Sequence, residues 1–279
     1  MVTAGRRLSL DYLTVNGATP IEQIEAAAGA GFDSVGLRFL APSDLVLEHE
    51  VVGDRAQIRA IGRACGQTGV TPLDVEVLFL GPEVDMGRFR QATEAAAEVG
   101  ASVLLTVSAD PDRGRAVERF AALCDAAAPF GIALALEFMR WSPVPTIEDA
   151  MAFLTSAGRP NAAICLDALH LSRSGGTPAS LPRLPAGSFV QLCDALAEMP
   201  PPEAMLAEAR SDRRYPGEGE LPLDELLDAL PADMPISIEV PRTIHASRSV
   251  AERAGMAGEA LRAYLDHYRA RRAAAAIDR

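Results

Sequence analysis

Short apolar runs alternate with longer segments of helical period along nearly the whole chain. Strand-like runs cover residues 8–15, 34–39, 73–80, 102–107, 132–138, 162–167, 189–193 and 236–240. Helical patterns cover 20–31, 55–69, 86–99, 114–130, 147–158, 223–230 and 250–271. Pro20 opens the first helix and Gly31 closes it, the punctuation that helices prefer. Residues 42–52 read as a polar loop, 174–187 as a connection rich in glycine and proline, and the stretch up to Arg214 as a charged run; the sixth helix is poorly marked.

Strands alternating with helices predict a mostly parallel sheet, and eight such units predict one closed (β/α)8 TIM barrel over residues 1–272. The alanine-rich end, 273–279, reads as a fraying tail. An open nucleotide-binding sheet would need a glycine-rich turn after its first strand. Asn16-Gly17-Ala18-Thr19 supplies neither that fingerprint nor a phosphate loop.

Alternation within the later strands sorts side chains onto two faces. Leu134 and Leu136, Ile164 and Leu166, Val190 and Leu192, and Ile236 and Ile238 make a bulky aliphatic face that packs beneath the helices. The opposite face is smaller or polar: Ala135 and Glu137, Cys165 and Asp167, Phe189 and Gln191, Ser237 and Glu239. In a barrel this second face points inward, and Glu137, Asp167, Gln191 and Glu239 fall near the C-terminal mouth, where barrel active sites sit. Three carboxylates converging there repel one another and raise their own pKa values unless a cation holds them. An all-oxygen set suits one hard or intermediate divalent ion, Mg2+, Mn2+ or Co2+, better than zinc.

Composition narrows the partners. A net charge of −12 argues against nucleic acid, whose phosphates need a basic face, so the expected partner is a small molecule. All basic side chains are arginine, which excludes lysine Schiff-base chemistry. Cys65, Cys124, Cys165 and Cys193 form no CxxC pair and read as small buried hydrophobes in a reducing compartment. The N-terminal segment passes directly into a strand pattern, and there is no long apolar run, so the expectation is a cytoplasmic protein without a membrane span.

Other mouth-side residues carry two readings each. His170, three residues past Asp167, is a substrate or supporting contact, or a plain loop residue. Glu76 orients substrate or anchors hydrogen bonds; Arg38 holds a carboxylate or phosphate, or pairs internally with Asp11 or Glu76. Trp141 walls the pocket or packs elsewhere, and Arg213 and Arg214 touch substrate or belong to a solvated charge run. His245 follows strand eight and is mouth-side by position. His49 and His267 are expected to do no chemistry.

The order of EFM after strand five, Asp167-x-x-His170 after strand six, QLCD at strand seven, GEG at 217–219 and IEV at strand eight resembles the xylose isomerase-like barrel superfamily of sugar isomerases and epimerases. The resemblance spans nearly the whole chain. It implies that Glu137, Asp167, Gln191 and Glu239 bind one divalent metal, commonly Mn2+, that Glu137 and Glu239 form the acid/base pair, and that His170 contacts substrate. Many keto-sugar epimerases of that family carry histidine where Gln191 stands, whereas glutamine is familiar from dehydratases such as 3-dehydroshikimate dehydratase. The expected activity is isomerisation or epimerisation of a small keto-sugar or other polyhydroxy carbonyl compound through an enediolate. Two alternatives stay open: dehydration of a cyclic β-hydroxy ketone such as an inosose, and a catalytically silent barrel serving as a partner subunit. The family habit points to a homodimer or homotetramer.

Overall fold

In the computed structural model, which describes residues 5–41 and 49–277, eight parallel strands close into a barrel in sequence order. They are β1 (Leu8–Leu10), β2 (Ser34–Arg38), β3 (Thr71–Leu80), β4 (Val103–Ser108), β5 (Ala133–Glu137), β6 (Ala162–Asp167), β7 (Phe189–Leu192) and β8 (Ile236–Ile238). Closure runs through β1 and β8, where Ser9 registers with Ser237 and Leu10 with Ile238. The predicted single TIM barrel is therefore the observed architecture.

The helices outside the barrel are α1 (Pro20–Gly29), α2 (Arg55–Thr68), α3 (Met86–Glu98), α4 (Arg113–Ala127), α5 (Ile147–Ala157), α6 (Ala168–Arg173), α7 (Pro202–Ser211), α8 (Leu223–Ala229) and α9 (Val250–Ile277). Local chemistry sets their starts. At α1, Thr19 Oγ1 accepts the Glu22 N–H at 3.2 Å while Glu22 Oε2 accepts the Thr19 N–H at 2.9 Å, and Pro20 occupies the first helical position. Such a cap contributes about 1 kcal/mol. No described helix is long and apolar enough to cross a membrane.

The two faces separate into two apolar clusters. Leu134, Leu136, Ile164, Leu166, Val190, Leu192, Ile236 and Ile238 all join the outer core beneath the helices. Inside, Leu73, Val77, Val103, Leu105, Val107, Ala135, Ala163, Cys165 and Phe189 form a smaller cluster on the β3–β7 side. Ser9, Asp11, Ser34, Asp74, Glu76 and Ser237 are buried on the β1, β2, β3 and β8 side. The barrel interior is thus apolar on one side and acidic on the other.

Three boundaries differ from the sequence reading. The first strand stops at Leu10, because Asp11 accepts the Leu13 N–H at 2.9 Å and turns 12–15 into a short 3-10 helix. The charged run before Arg214 contains a helix, α7, which starts at Pro202 and buries Met205 and Ala209, four residues apart on one face. The last helix continues through most of the expected tail to Ile277, with 271–276 exposed, since an alanine-rich segment has high helix propensity. Of the loop read at 42–52, residues 42–48 lie outside the described residues, as do 278–279 of the tail.

Candidate active site

Glu137 and Asp167 are the last residues of β5 and β6, Gln191 lies in β7, and Glu239 directly follows β8. Register aligns Asp167 with Gln191 and Gln191 with Ser237, so these ends crowd around one mouth. Glu137, Asp167 and His170 each offer a ligand-capable atom, and these atoms all lie within 4.8 Å of one another. His170 enters this group because Asp167 caps α6: its Oδ1 accepts the His170 N–H at 2.8 Å.

The guanidinium of Arg213 is fully buried among these acids. Its Nη1 lies 2.5 Å from Asp167 Oδ2 and 2.9 Å from Glu239 Oε2, and its Nε donates to Ala209 O at 2.8 Å. Glu239 Oε2 is nevertheless without a hydrogen bond of good geometry. Gln191 is held by its amide: Nε2 donates to Asp11 Oδ2 at 2.9 Å, and Oε1 lies 3.0 Å from Cys165 Sγ. His170 Nε2 stands 3.5 Å from Glu137 Oε1, and the Trp141 ring meets the imidazole edge-on at 5.2 Å.

Electrostatics divides the acids into two kinds. Burial pushes Glu137 up to about 8, reinforced by the neighbouring charge of Asp167 and opposed by Arg213. Glu239 is likewise raised well above the carboxylate range by burial, although Arg213 works against this. Burial also acts to raise Asp167, but Arg213, His170 and the His170 N–H outweigh it and hold Asp167 down at about 2. Burial lowers His170 to about 4, so its imidazole is neutral near pH 7.

These residues fit a divalent cation. Three carboxylates against one guanidinium leave two negative charges when all are ionised, and burial raises Glu137 and Glu239, so a cation entering the mouth would offset charge that the protein itself leaves. Glu137, Asp167 and His170 offer two carboxylates and one nitrogen within 4.8 Å of one another, a donor set that suits Mn2+, Mg2+, Co2+ or zinc.

A cavity of about 460 Å³ opens from this mouth. Arg38, Glu76, Trp141 and Arg213 all line it, together with Glu137, His170 and Glu239. Arg38 Nη2 pairs with Glu76 Oε2 at 3.2 Å and its guanidinium lies over the Tyr12 ring, so the internal pairing and the pocket placement hold together. Trp141 remains 40% exposed and walls the cavity rather than joining the core. Arg214 is the exception: its Nη1 donates to Glu218 O at 3.1 Å, outside the cavity, because consecutive residues beside the bridge to Asp194 point opposite ways.

Sequence reasoning missed several participants. Leu206, Ala209 and Arg210 reach the cavity from the unexpected helix α7, and His49 lines it too. Asp194, the last residue of QLCD, accepts N–H groups from Ala195, Gly217, Gly219 and Leu221 at 2.9–3.0 Å and so holds the GEG loop. A Cβ on Gly219 would meet Ala195 O at 2.4 Å, which explains the glycine. The signal available for Asp194 was its place after a strand and upstream of a glycine loop that leaves several N–H groups without partners.

Residues 24–267 match the family model described as xylose isomerase-like TIM barrel. No curated protein matches the chain. Among solved structures, a xylose isomerase-like TIM barrel/4-hydroxyphenylpyruvate dioxygenase fusion protein is similar at 20% identity and a TM-score of 0.77; the match covers 96% of this chain but only 44% of that one. The IOLI protein with a binding zinc atom is similar at 20% identity and a TM-score of 0.76, over 94% of this chain and 99% of that one. D-psicose 3-epimerase with D-fructose is similar at 17% identity and a TM-score of 0.66, over 91% and 96%.

Proposed function

The chain belongs to the xylose isomerase-like TIM barrel family, and from that premise we propose that it is a divalent-metal-dependent isomerase or epimerase of a small keto-sugar or polyhydroxy carbonyl compound. The observation that carries this is the convergence of Glu137, Asp167 and His170 within 4.8 Å, with Arg213 tying Glu239 to the same mouth. Glu137, Asp167, Gln191 and Glu239 would hold the ion, Mn2+ in our reading, with His170 near enough to join. Once bound, the ion supplies Lewis-acid polarisation of a carbonyl oxygen and its neighbouring hydroxyl.

The protein's own groups then move the proton. Glu137, a carboxylate lining the cavity at its mouth, is the base for the carbon beside the carbonyl. His170, neutral and 3.5 Å away, would take up a proton as a transient imidazolium and pass it on. Glu239 would return a proton to the other side after taking one up from solvent in the cavity it lines, and Arg213 keeps it and Asp167 in place. The apolar wall of Leu105, Val107 and Met139 limits water beside the reacting carbon.

A dehydratase reading rests on one feature, the glutamine at 191, whose amide is locked to Asp11 instead of presenting a titratable imidazole. One experiment separates the two. Metal-loaded protein is incubated in D2O with a panel of ketoses, inososes and 3-dehydroshikimate. Deuterium next to the carbonyl without loss of water supports the isomerase, and loss of water supports the lyase. If Glu137→Gln and Glu239→Gln leave both metal content and turnover unchanged, the proposed site is wrong.

A further inference from the structure

Beside the main cavity lies a second recess of about 220 Å³ with a different chemistry. Arg210 at the end of α7, Arg242 and His245 after β8, and Arg253 on α9 line it, with Tyr215 and Thr243. Three guanidiniums in one small recess are notable in a chain of net charge −12.

Their partners do not account for them. Arg242 Nη1 holds Glu218 Oε2 at 2.6 Å, whereas among the described residues neither Arg210 nor Arg253 forms an ion pair. Arg253 Nη1 donates to Asn16 O at 3.0 Å, which ties α9 to the turn after β1 but leaves its other donors. The Nε groups of both Arg242 and Arg253 are buried without an acceptor. Buried donors without partners are uncommon and costly, and an anion in the recess would offset the charge that both guanidiniums carry.

The recess is also shaped. Tyr215 stacks on His245 at 6.2 Å with the rings 18° apart, and the Arg242 guanidinium lies 5.2 Å from the Tyr215 ring. Burial lowers the pKa of His245, and Arg242 and Arg248 lower it further against Glu218. Burial lowers Arg253 as well, and the groups opposing that are the phenols of Tyr215 and Tyr12, not carboxylates.

We propose that this recess is an oxyanion subsite that takes a phosphate group through Arg210, Arg242 and Arg253. Arg210, Leu13 and Asn16 line both this recess and the main cavity, so a bound phosphate lies alongside whatever occupies the cavity. The same chemistry serves the phosphate of a phosphorylated substrate or free phosphate. The inference does not depend on the metal centre.

Inorganic phosphate is titrated into the intact, chelator-treated protein while the imidazole resonances of its four histidines are followed by NMR. The expected result is a saturable shift of His245 with His170 and His267 unmoved. Arg253→Gln and Arg242→Gln should each weaken binding at least about tenfold, since each removes a charge-assisted hydrogen bond. Should Arg253→Gln lose stability with its tie to Asn16, Arg242→Gln carries the comparison. A missing His245 shift, a shift of His170 instead, or unchanged affinity in the folded variants overturns the proposal. In a second arm, a ketose phosphate displacing inorganic phosphate with higher affinity than phosphate itself marks the substrate as the source. Equal affinity marks free phosphate.

Discussion

Glu137→Gln should stabilise the metal-free protein at neutral pH while disabling its site. The carboxyl titrates at about 8 in the folded chain, against a reference value of 4.5. A folded pKa above the unfolded one leaves stability intact below the unfolded value and erodes it as pH rises toward the folded value. At pH 7 the unfolded chain has released this proton and the folded chain still holds it, a difference of roughly two and a half pH units, or about 3 kcal/mol. The amide is isosteric and never ionises, so it escapes this penalty. For a chain of this length the gain corresponds to a rise in Tm of roughly 5–10 °C. The assay is thermal unfolding of both proteins in chelator at pH 4.5, 7 and 8, reading the difference between them. That difference should vanish at the acid end, grow through neutrality, and change sign when Mn2+ is added, because only the carboxylate is the stronger ligand. A difference independent of pH, or a variant less stable than wild type at pH 7 in chelator, would refute the reasoning.

His170, lowered to about 4 from a reference of 6.5, works in the opposite direction: the unfolded chain binds its proton first as pH falls. The metal-free protein should lose up to about 3 kcal/mol between pH 6.5 and 4 on this account, and His170→Asn should flatten that limb in a pH series of denaturant titrations. Arg213→Met leaves Asp167 and Glu239 buried without their cation and should cost about 3–5 kcal/mol at pH 7, a loss that shrinks on Mn2+ loading. Asp194→Asn removes an acceptor from a carboxylate that takes four N–H groups; it should cost roughly 2–4 kcal/mol and sensitise 215–221 to proteolysis while metal uptake is retained. Metal binding at pH 7 should release about one to two protons, measured in weakly buffered solution, because Glu137 and Glu239 must ionise to bind.

The barrel was readable because its physics is local. Period-two alternation with aliphatic outer residues marks Leu134 and Leu136 or Ile164 and Leu166 without knowledge of their neighbours, and the structure puts all four in the outer core. The strand-end acids were readable for the same reason. What escaped depends on register between distant segments. Arg213 read as a substrate contact or as part of a charge run, because α7 hid behind prolines and glutamates, and only the helix brings Arg210 and Leu206 to the cavity and Arg213 to Asp167. Gln191 gave no hint that its amide would be fixed by Asp11, a residue of a strand that stops earlier than its apolar run.

Charge balance in the barrel interior ties these pieces together. Six acids are buried there, Asp11, Asp74, Glu76, Glu137, Asp167 and Glu239, with Arg38 and Arg213 as the cations among them. Each arginine sits in ion-pair reach of Glu76 or Asp167, which leaves four carboxyls in excess. Burial is the largest cause raising the pKa values of Asp11, Asp74, Glu137 and Glu239. Protons must therefore balance what arginine does not, unless a cation enters. A divalent ion offsets two of the four charges, those of Glu137 and Glu239 at the mouth. Asp74 lies deeper, in the middle of β3, with no hydrogen-bond partner on either oxygen, while Asp11 is level with Glu239 and accepts from Leu13 and Gln191, so neither is offset by an arginine of its own. The Gln191 amide, bonded to Asp11 and facing Cys165 beside Glu137, is the hinge between the two groups. An imidazole at that position would add a titratable group to a centre whose charges otherwise close with one divalent ion and two protons.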